Sequence, residues 1–389
     1  MNRPAKRQAV VFLALACALA SGTPAPRATL APMPDAVPAD ALPRPWLIAH
    51  RGASAHRPEH TLAAYALAID QGADAIEPDL VMTRDGVLVA RHENELSDTT
   101  DVAQRAEFAA RRTRKRVDGE WTEGWFSEDF TLAEIKTLRA RERLPQLRST
   151  AWDGQFEVAT FAEIVALVSA RSAALGRPIG LVPEIKHPSH FAALGLAMEQ
   201  PLLDELAGHD YTRRAPVMIQ SFETANLRAL RRRLPRGGNV RLLQLLGAPD
   251  RTPYDTVLAG APVTYARLCT QDGLQGVAAY ADAIGPAYRM LQIEPREGGG
   301  YRSALVEAAH AAGLQVVAYT FRPENPFLEE RFRSADGGVA RNEAGAVREL
   351  QAYASSGVDG VFADDPALAR RALDDDDQTH RSRETGRGP

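Results

Sequence analysis

Three acidic residues occur in the sequence at spacings that suit a metal site. Glu77 and Asp79 stand two residues apart in an apolar run, and Glu184 and Lys186 repeat that spacing further along the chain. Because alternate residues of a strand point to one face, each pair is expected to share a face. Any one of these acids could pair with a surface arginine instead, but two matched pairs are hard to explain in that way. Converging carboxylates need a balancing charge, and oxygen ligands favour Ca²⁺ or Mg²⁺ over zinc.

A histidine is predicted to return to the neighbourhood of the first two acids. His92 ends a second apolar run, and the four residues 83–86 separate this run from the one that holds Glu77 and Asp79. So short a connection excludes a parallel crossover. The two runs are therefore predicted to form an antiparallel hairpin with an Asp-Gly pair in its turn. The hairpin places His92 above Glu77 and Asp79.

The order of the elements predicts how these side chains meet. The chain has 389 residues, 45% hydrophobic and 25% charged, which is typical of a globular protein and excludes coiled coil, collagen and wholesale disorder. Eight apolar runs occupy residues 46–49, 75–79, 181–185, 217–220, 240–245, 283–285, 315–320 and 360–363. Helix candidates between them include 61–71, 161–175, 224–233 and 303–312. Eight strand–helix repeats predict an α/β fold, a (β/α)8 TIM barrel, with an open doubly wound sheet as the rival.

A barrel of this kind carries its reactive groups at the carboxyl ends of its strands. His50 and Arg51 end the first run, so they are expected at the same rim as the acids and His92. This inventory fits phosphodiester cleavage, which needs a cation on the nonbridging oxygens, a base for the attacking hydroxyl and an acid for the departing alkoxide. Attack by water and attack by a neighbouring substrate hydroxyl both remain open.

A small insertion, about 97–153, is predicted to follow the hairpin of the second strand. It holds Trp121, Trp125 and Trp152, three of the four tryptophans, and the basic run 111–116. We expect it to lie over the catalytic face of the barrel. The simpler interpretation is that its aromatic residues form a mini-core of their own, and contact with a membrane or with substrate is the alternative.

Both ends of the chain are predicted to lie outside the barrel, which leaves residues 45–373 for the fold. Residues 1–20 have the basic start and apolar run of a signal peptide, a run too short for a comfortable membrane span. A lipoprotein signal ending at Cys17 is the competing interpretation, but Ala14 stands where Leu is usual. Residues 21–44 are predicted to be a flexible Ala/Pro-rich tether, and 374–389 a disordered acidic tail.

The protein is therefore expected to be exported, to the periplasm or the medium, without a stable membrane anchor. Lys and Arg number 46 against 50 Asp and Glu, for a formal net charge of -4. Because there is no basic excess, no nucleic-acid partner is expected.

Several short motifs together resemble the glycerophosphodiester phosphodiesterase family, and the long insertion resembles its periplasmic, calcium-dependent branch. The resemblance runs in order from His50 to about Pro366. Its motifs are His50-Arg51-Gly52-Ala53, Pro58-Glu59-His60-Thr61, Glu77-Pro78-Asp79-Leu80, Thr83-Arg84-Asp85-Gly86, Arg91-His92-Glu93, Pro183-Glu184-Ile185-Lys186, Gln220-Ser221-Phe222 and Gly360-Val361-Phe362-Ala363-Asp364.

The resemblance implies a role for each matching residue. The implied roles are general base and general acid for His50 and His92, metal binding for Glu77, Asp79 and Glu184, phosphate binding for Arg51, and support of the site for Glu59 and Lys186. It also implies one divalent cation, Ca²⁺ with Mg²⁺ as the alternative, and a small glycerophosphodiester as substrate. There are two departures: Glu93 stands where the family usually has Asp, and Pro78, expected to face outward, separates two metal-binding acids.

Three functions are weighed against one another. The first is hydrolysis of deacylated phospholipids such as glycerophosphocholine to an alcohol and sn-glycerol 3-phosphate. The second is a lipid-acting barrel phosphodiesterase, a phospholipase C-type lyase or a lysophospholipase D. The third is a non-catalytic exported binding module, against which the intact pair His50 and His92 argues. The other histidines singled out, His56, His60, His187, His190 and His310, are predicted to be surface or helix residues without charged partners.

Overall fold

Eight parallel strands close into a barrel, as the sequence predicted. The structure is a computed structural model, and it describes residues 45–335 and 338–385. The barrel strands are Trp46–His50, Ala75–Glu77 continued by Asp79–Met82, Gly180–Leu181 continued by Glu184–Ile185, Val217–Ser221, Val240–Leu246, Ala283–Pro286, Gln315–Phe321 and Gly360–Ala363. The first strand pairs with the last, Trp46 opposite Gly360, and this pairing closes the sheet. The predicted signal peptide, Cys17 and the tether lie outside the described residues.

Two prolines divide the second and third barrel strands. Pro78 and Pro183 have no N–H to donate to the ladder, so each strand is described in two parts. Their carbonyls still accept: Glu184 N donates to the Pro78 oxygen at 2.9 Å, and Gln220 N donates to the Pro183 oxygen at 2.9 Å. The sheet therefore passes both prolines without losing its register.

Apolar side chains fill the barrel beneath the carboxyl ends of the strands. They come from all eight strands and are almost fully buried: Trp46, Ile48, Ala75, Val182, Met218, Leu243, Leu245, Ala283, Val317 and Phe362. Because this interior is a packed core and not a pore, a ligand can enter only above it, where the strands end in polar residues.

The helices surround the strands. They are Leu62–Asp70, Leu132–Ile135, Phe161–Leu175, Pro188–Ala193, Glu199–Gly208, Ala225–Arg231, Tyr254–Leu258, Tyr265–Leu268, Gln271–Ala278, Ala304–Ala311, Glu343–Ala354 and Pro366–Thr385. Local sequence explains where two of them begin: the Thr61 hydroxyl accepts from the Ala64 N–H, and Thr160 forms a capping box with Glu163. Within the described residues, no helix combines the length and the apolar composition needed to cross a membrane.

The hairpin and the insertion follow the second strand as predicted. Leu88–Ala90 pairs antiparallel with Asp79–Met82, and the insertion then forms a hairpin of its own from Thr113–Val117 and Glu120–Gly124. A mini-core of Phe108, Trp125, Phe126 and Phe130 is buried within it. Trp121 lies outside this mini-core, with 61% of its surface exposed.

The last helix extends beyond the predicted end of the barrel domain at residue 373. Leu368, Ala369 and Ala372 bury one face of Pro366–Thr385, and the helical backbone continues through the start of the acidic run. A helix that is already nucleated gains one hydrogen bond for each residue added. The backbone of residues 374–385 is therefore helical where the sequence predicted a disordered tail.

Candidate active site

A cavity of about 450 Å³ opens at the carboxyl ends of the strands. Its lining includes His50, Arg51, Glu77, His92, Glu184 and Gln220, together with Phe222, Tyr288, Tyr319, Phe327, Arg143, Arg289 and Arg322. Five of the residues that the sequence singled out therefore share one cavity. Glu59, Asp79 and Lys186 are buried in contact with them.

Sheet register brings the three acids together. His50 lies opposite Glu77 in the first pair of strands, and Asp79 lies opposite Glu184 where the second strand meets the third. One carboxylate oxygen from each of Glu77, Asp79 and Glu184 lies within 4.8 Å of the others. The convergence that the matched spacing predicted is thus present in the structure.

Neighbouring donors hold two of the acids in place. Gln220 Nε2 donates to Glu77 Oε1 at 3.0 Å, and the Arg51 backbone N–H donates to Glu77 Oε2 at 2.9 Å. Lys186 Nζ lies 3.0 Å from Glu184 Oε1. Burial, with the charge of Asp79 adding to it, raises the pKa of Glu77 well above its ordinary value. Burial also raises the pKa of Glu184 to about 8, against the opposing charge of Lys186.

Asp79 is held in its ionised form. Burial would raise its pKa, but Lys186, His60 and Arg51 outweigh burial and lower the pKa well below the ordinary range. His60 Nε2 and Arg51 Nε both lie at Asp79 Oδ2, at 3.0 Å and 3.3 Å. Asp79 Oδ1 is buried without a hydrogen-bond partner. An orphaned carboxylate oxygen beside two further carboxylates is a donor set that fits a hard cation.

A tight turn after the first strand aims Arg51 at the acids. Arg51 has φ +60° and Gly52 has φ +87°, and a Cβ on Gly52 would come within 2.7 Å of the Ala64 backbone. Only glycine fits so close to a helix at that φ. The turn lets Arg51 Nη1 donate to both Glu59 oxygens at 3.1 Å. Glu59 also accepts from Arg143 Nε at 2.9 Å, so it anchors two arginines of the cavity wall.

His50 is oriented by an acid from the other end of the chain. Its Nδ1 lies 2.6 Å from Asp364 Oδ1, which leaves Nε2 as the ring nitrogen that can exchange a proton in the cavity. Burial and the charge of Arg51 lower the pKa of His50 to about 4, although Asp364 opposes them. Asp364 Oδ2 in turn accepts from Arg148 Nη2 at 2.5 Å and from Arg322 Nε at 3.1 Å.

Arg148 should be a large contributor to stability. It is buried and donates to both Glu324 oxygens, at 2.7 and 3.3 Å, as well as to Asp364. Replacing it by Met would leave two carboxylates buried beside a neutral side chain. We expect Arg148→Met to lower the free energy of unfolding by about 3–5 kcal/mol in urea denaturation. A loss below about 1 kcal/mol, the usual limit for an exposed ion pair, would contradict this account.

His92 has a matching arrangement. Its Nδ1 lies 2.7 Å from Glu93 Oε1, and 27% of the imidazole is exposed at the cavity. Burial and the charges of Arg51 and Lys186 lower the pKa of His92 to about 3. Glu93, the departure that the sequence showed, therefore provides the carboxylate that orients this ring.

The five other histidines were predicted to lack charged partners, and this was wrong because each of them faces an acid. His56 is 32% exposed and its Nε2 lies 3.1 Å from Asp365 Oδ2. His60 is fully buried, with Nδ1 at 2.7 Å from the Tyr65 hydroxyl and Nε2 at Asp79. His187 lies close to two acids and only 14% of its side chain is exposed. His190 and His310 do lie on helices, but each also faces an acid. His60 directly follows Glu59 in a quoted motif, which was the signal that could have identified it.

Fold and cavity together define the class of the protein: an α/β-barrel enzyme with acid–base groups at the carboxyl ends of its strands. The model of the glycerophosphoryl diester phosphodiesterase family matches residues 50–368. The chain belongs to this family. It is 33% identical over 339 residues to a glycerophosphodiester phosphodiesterase of Arabidopsis thaliana, covering 82% of this chain and 84% of the relative. A glycerophosphodiester phosphodiesterase of Haemophilus influenzae is 29% identical and covers 80% of this chain and 88% of its own length.

Solved structures agree with the fold. A crystal structure described as a glycerophosphoryl diester phosphodiesterase from Silicibacter pomeroyi superposes with a TM-score of 0.58 at 23% identity, covering 88% of this chain and 95% of its own. A phosphodiesterase from Oleispira antarctica, solved with the product sn-glycerol-3-phosphate, gives a TM-score of 0.53 at 21% identity, covering 85% of this chain and 97% of its own.

Proposed function

We propose that this enzyme hydrolyses glycerophosphodiesters such as glycerophosphocholine to an alcohol and sn-glycerol 3-phosphate, with His50 as general base and His92 as general acid. The observation that carries the proposal is that both imidazoles line one cavity with two of the three converging acids. Each ring is held at Nδ1 by its own carboxylate, which leaves Nε2 of both to exchange a proton with a bound substrate. A non-catalytic binding module would not require two histidines that are each held in this way.

The two histidines differ in the protonation that their roles require. With a pKa lowered to about 4, His50 is neutral at pH 7 and can accept the proton of the attacking hydroxyl. His92 must carry a proton to give to the departing alkoxide. The charge of a bound phosphodiester, together with Glu93, favours the imidazolium form of His92, because nearby negative charge raises a histidine pKa. Arg51 lies on the cavity wall, where it can hold a phosphate oxygen.

Glu77, Asp79 and Glu184 are the residues that would hold one divalent cation. We propose Ca²⁺, with Mg²⁺ as the alternative, because all three donors are carboxylate oxygens. When bound, such an ion stabilises the negative charge that develops on the phosphoryl oxygens. Gln220 and the Arg51 backbone orient Glu77, and Lys186 orients Glu184, for that contact.

Release of glycerol 3-phosphate from glycerophosphocholine tests the proposal. We expect the purified enzyme to release it, to lose at least about 10²-fold in rate with a chelator, and to recover when Ca²⁺ or Mg²⁺ is added back, because charge neutralisation by a metal contributes several kcal/mol. Zn²⁺ serves as the control ion, since an all-oxygen site does not favour it. Turnover that does not respond to chelation would remove the cation from the mechanism.

A second candidate function, action on lipid, is favoured by one feature of the insertion. Trp121 is 61% exposed, and the Arg114 guanidinium lies 4.8 Å from the centroid of its ring. A tryptophan beside a cation suits the interface of a lipid surface. Turnover confined to lipid vesicles, with none of glycerophosphocholine, would support that function over the first. We also propose that the enzyme is exported, on the basis of its amino-terminal sequence.

A further inference from the structure

A continuous series of polar contacts joins the insertion to His92. Asp118 Oδ2 lies 2.6 Å from His187 Nδ1, and His187 Nε2 lies 3.2 Å from Glu93 Oε2. The other oxygen of Glu93 lies 2.7 Å from His92 Nδ1. Asp118 is in the turn of the insertion hairpin, whereas His187 lies two residues after the end of the third barrel strand. From the insertion hairpin to His92, the series therefore runs acid, imidazole, acid, imidazole.

The backbone is unusual at the first two residues of this series. Asp118 has φ +47° and His187 has φ +46°, and His187 is also followed by a proline. A left-handed conformation is uncommon for residues other than glycine and persists where the surroundings hold it. The side chain of Glu93 is 52% exposed, so without His187 it would have several rotamers available to it.

We propose that His187 and Asp118 are positioning residues of the reaction, which act on His92 through Glu93. This inference rests on the proposed function, in which His92 is the general acid. His187 fixes one oxygen of Glu93 so that the other stays on His92 Nδ1, and Asp118 fixes His187 in turn. The insertion hairpin is thereby part of the machinery that orients the acid.

The charges along the series are consistent with that role. Burial opposes protonation of His187, but its hydrogen bonds to Asp118 and Glu93 outweigh burial and raise the pKa to about 9. His187 is therefore cationic at pH 7 and pairs with two carboxylates. Burial would raise the pKa of Glu93, but its hydrogen bonds to His187 and His92 lower it well below the ordinary range. An ionised Glu93 requires His92 to present N–H at Nδ1, which fixes the orientation of the ring.

The effect of this arrangement on the rate of cleavage depends on the leaving group. As the P–O bond to the leaving group breaks, the proton on His92 Nε2 passes to that oxygen, and the proton of the attacking hydroxyl passes to His50. An alkoxide such as that of choline leaves poorly without this proton, whereas p-nitrophenolate leaves well without it. If His92 is misplaced, cleavage of the alkyl ester should therefore slow, whereas cleavage of the aryl ester should change little.

The experiment compares glycerophosphocholine with the p-nitrophenyl ester of glycerol 3-phosphate in four variants. His187→Asn removes the imidazole from between the two acids, and Asp118→Asn removes the negative charge that faces His187. Asn tolerates the left-handed backbone at both positions. His92→Ala removes the proposed general acid and shows how the rate on each ester responds to its loss. Glu123→Gln is the matched control, because it removes an exposed pair with Arg112 at the far end of the same hairpin. Thermal unfolding shows that each variant folds.

We expect His187→Asn to lower kcat on glycerophosphocholine about tenfold or more, and Asp118→Asn to lower it less, with changes below about threefold on the aryl ester. Glu123→Gln should change neither. Equal losses on both esters in His187→Asn would show a structural role and overturn the inference, as would full activity on both. If His92→Ala itself loses equally on both esters, the assignment of His92 as the acid has failed, and the positioning role fails with it.

Discussion

His50→Ala and His92→Ala should each lower turnover of glycerophosphocholine by about 10²- to 10⁴-fold, the usual contribution of a proton-transfer residue. Each substitution removes the Nε2 that faces the cavity and leaves a carboxylate, Asp364 or Glu93, without its imidazole partner. The loss should fall on kcat more than on KM, because proton transfer occurs in the transition state and contributes little to substrate binding. Steady-state kinetics with a coupled assay for glycerol 3-phosphate would measure it.

A third histidine provides the control for these variants. His310 lies on the helix Ala304–Ala311, is 43% exposed and pairs with Asp359 at 2.8 Å. It does not line the active-site cavity. His310→Ala should keep kcat within about twofold, since surface substitutions rarely disturb a distant site. Activity close to normal in either His50→Ala or His92→Ala, with the fold intact, would refute the assignment of that residue.

Much of the fold was predictable because its signals are local. Each barrel strand is a short apolar run between helical stretches, and the antiparallel hairpin follows from a connection of four residues. The acids could be found for the same reason, since the i, i+2 spacing of Glu77 and Asp79 specifies a shared face within one strand. Family resemblance supplied the role of His50 and His92, which spacing alone could not.

The partners that orient these residues could not be predicted, because they are far away in sequence. Asp364 lies 314 positions from His50, and Arg148 reaches Asp364 from the insertion across 216 positions. His60 and His187 were misjudged for a similar reason. The acids beside them, Asp79 and Asp118, are 19 and 69 positions away, and folding brings each pair together. Local patterns do not show which distant acid a histidine will meet, although the motif that holds His60 could have marked that residue as part of the site.

The second large expected effect concerns the stability of Glu77→Gln relative to the parent. Three acids buried together are unfavourable without a cation, so we expect the order of the two stabilities to depend on the cation. In the absence of a divalent cation, Glu77 is buried beside the charge of Asp79, and its pKa is raised because its ionised form is unfavourable there. A neutral amide of the same shape removes that repulsion and still accepts from the Arg51 backbone. Gln220 can turn its amide so that Oε1, which has no partner, accepts from the new NH₂ group. With chelator present, we expect Glu77→Gln to be more stable than the parent by about 1–3 kcal/mol.

Saturating Ca²⁺ should reverse the order. The parent would gain RT ln(1 + [L]/Kd), about 4.1 kcal/mol at 1,000 times Kd, which exceeds the variant's advantage of about 1–3 kcal/mol. The variant would lose most of that gain together with at least about 10²-fold in kcat. Glu349→Gln is the matched control: Glu349 is also buried, with a pKa raised to about 7, but it is not one of the converging acids. Its change in stability should be the same with chelator and with Ca²⁺. Equal stabilisation of the parent and Glu77→Gln by Ca²⁺, in thermal or urea unfolding, would place the cation elsewhere.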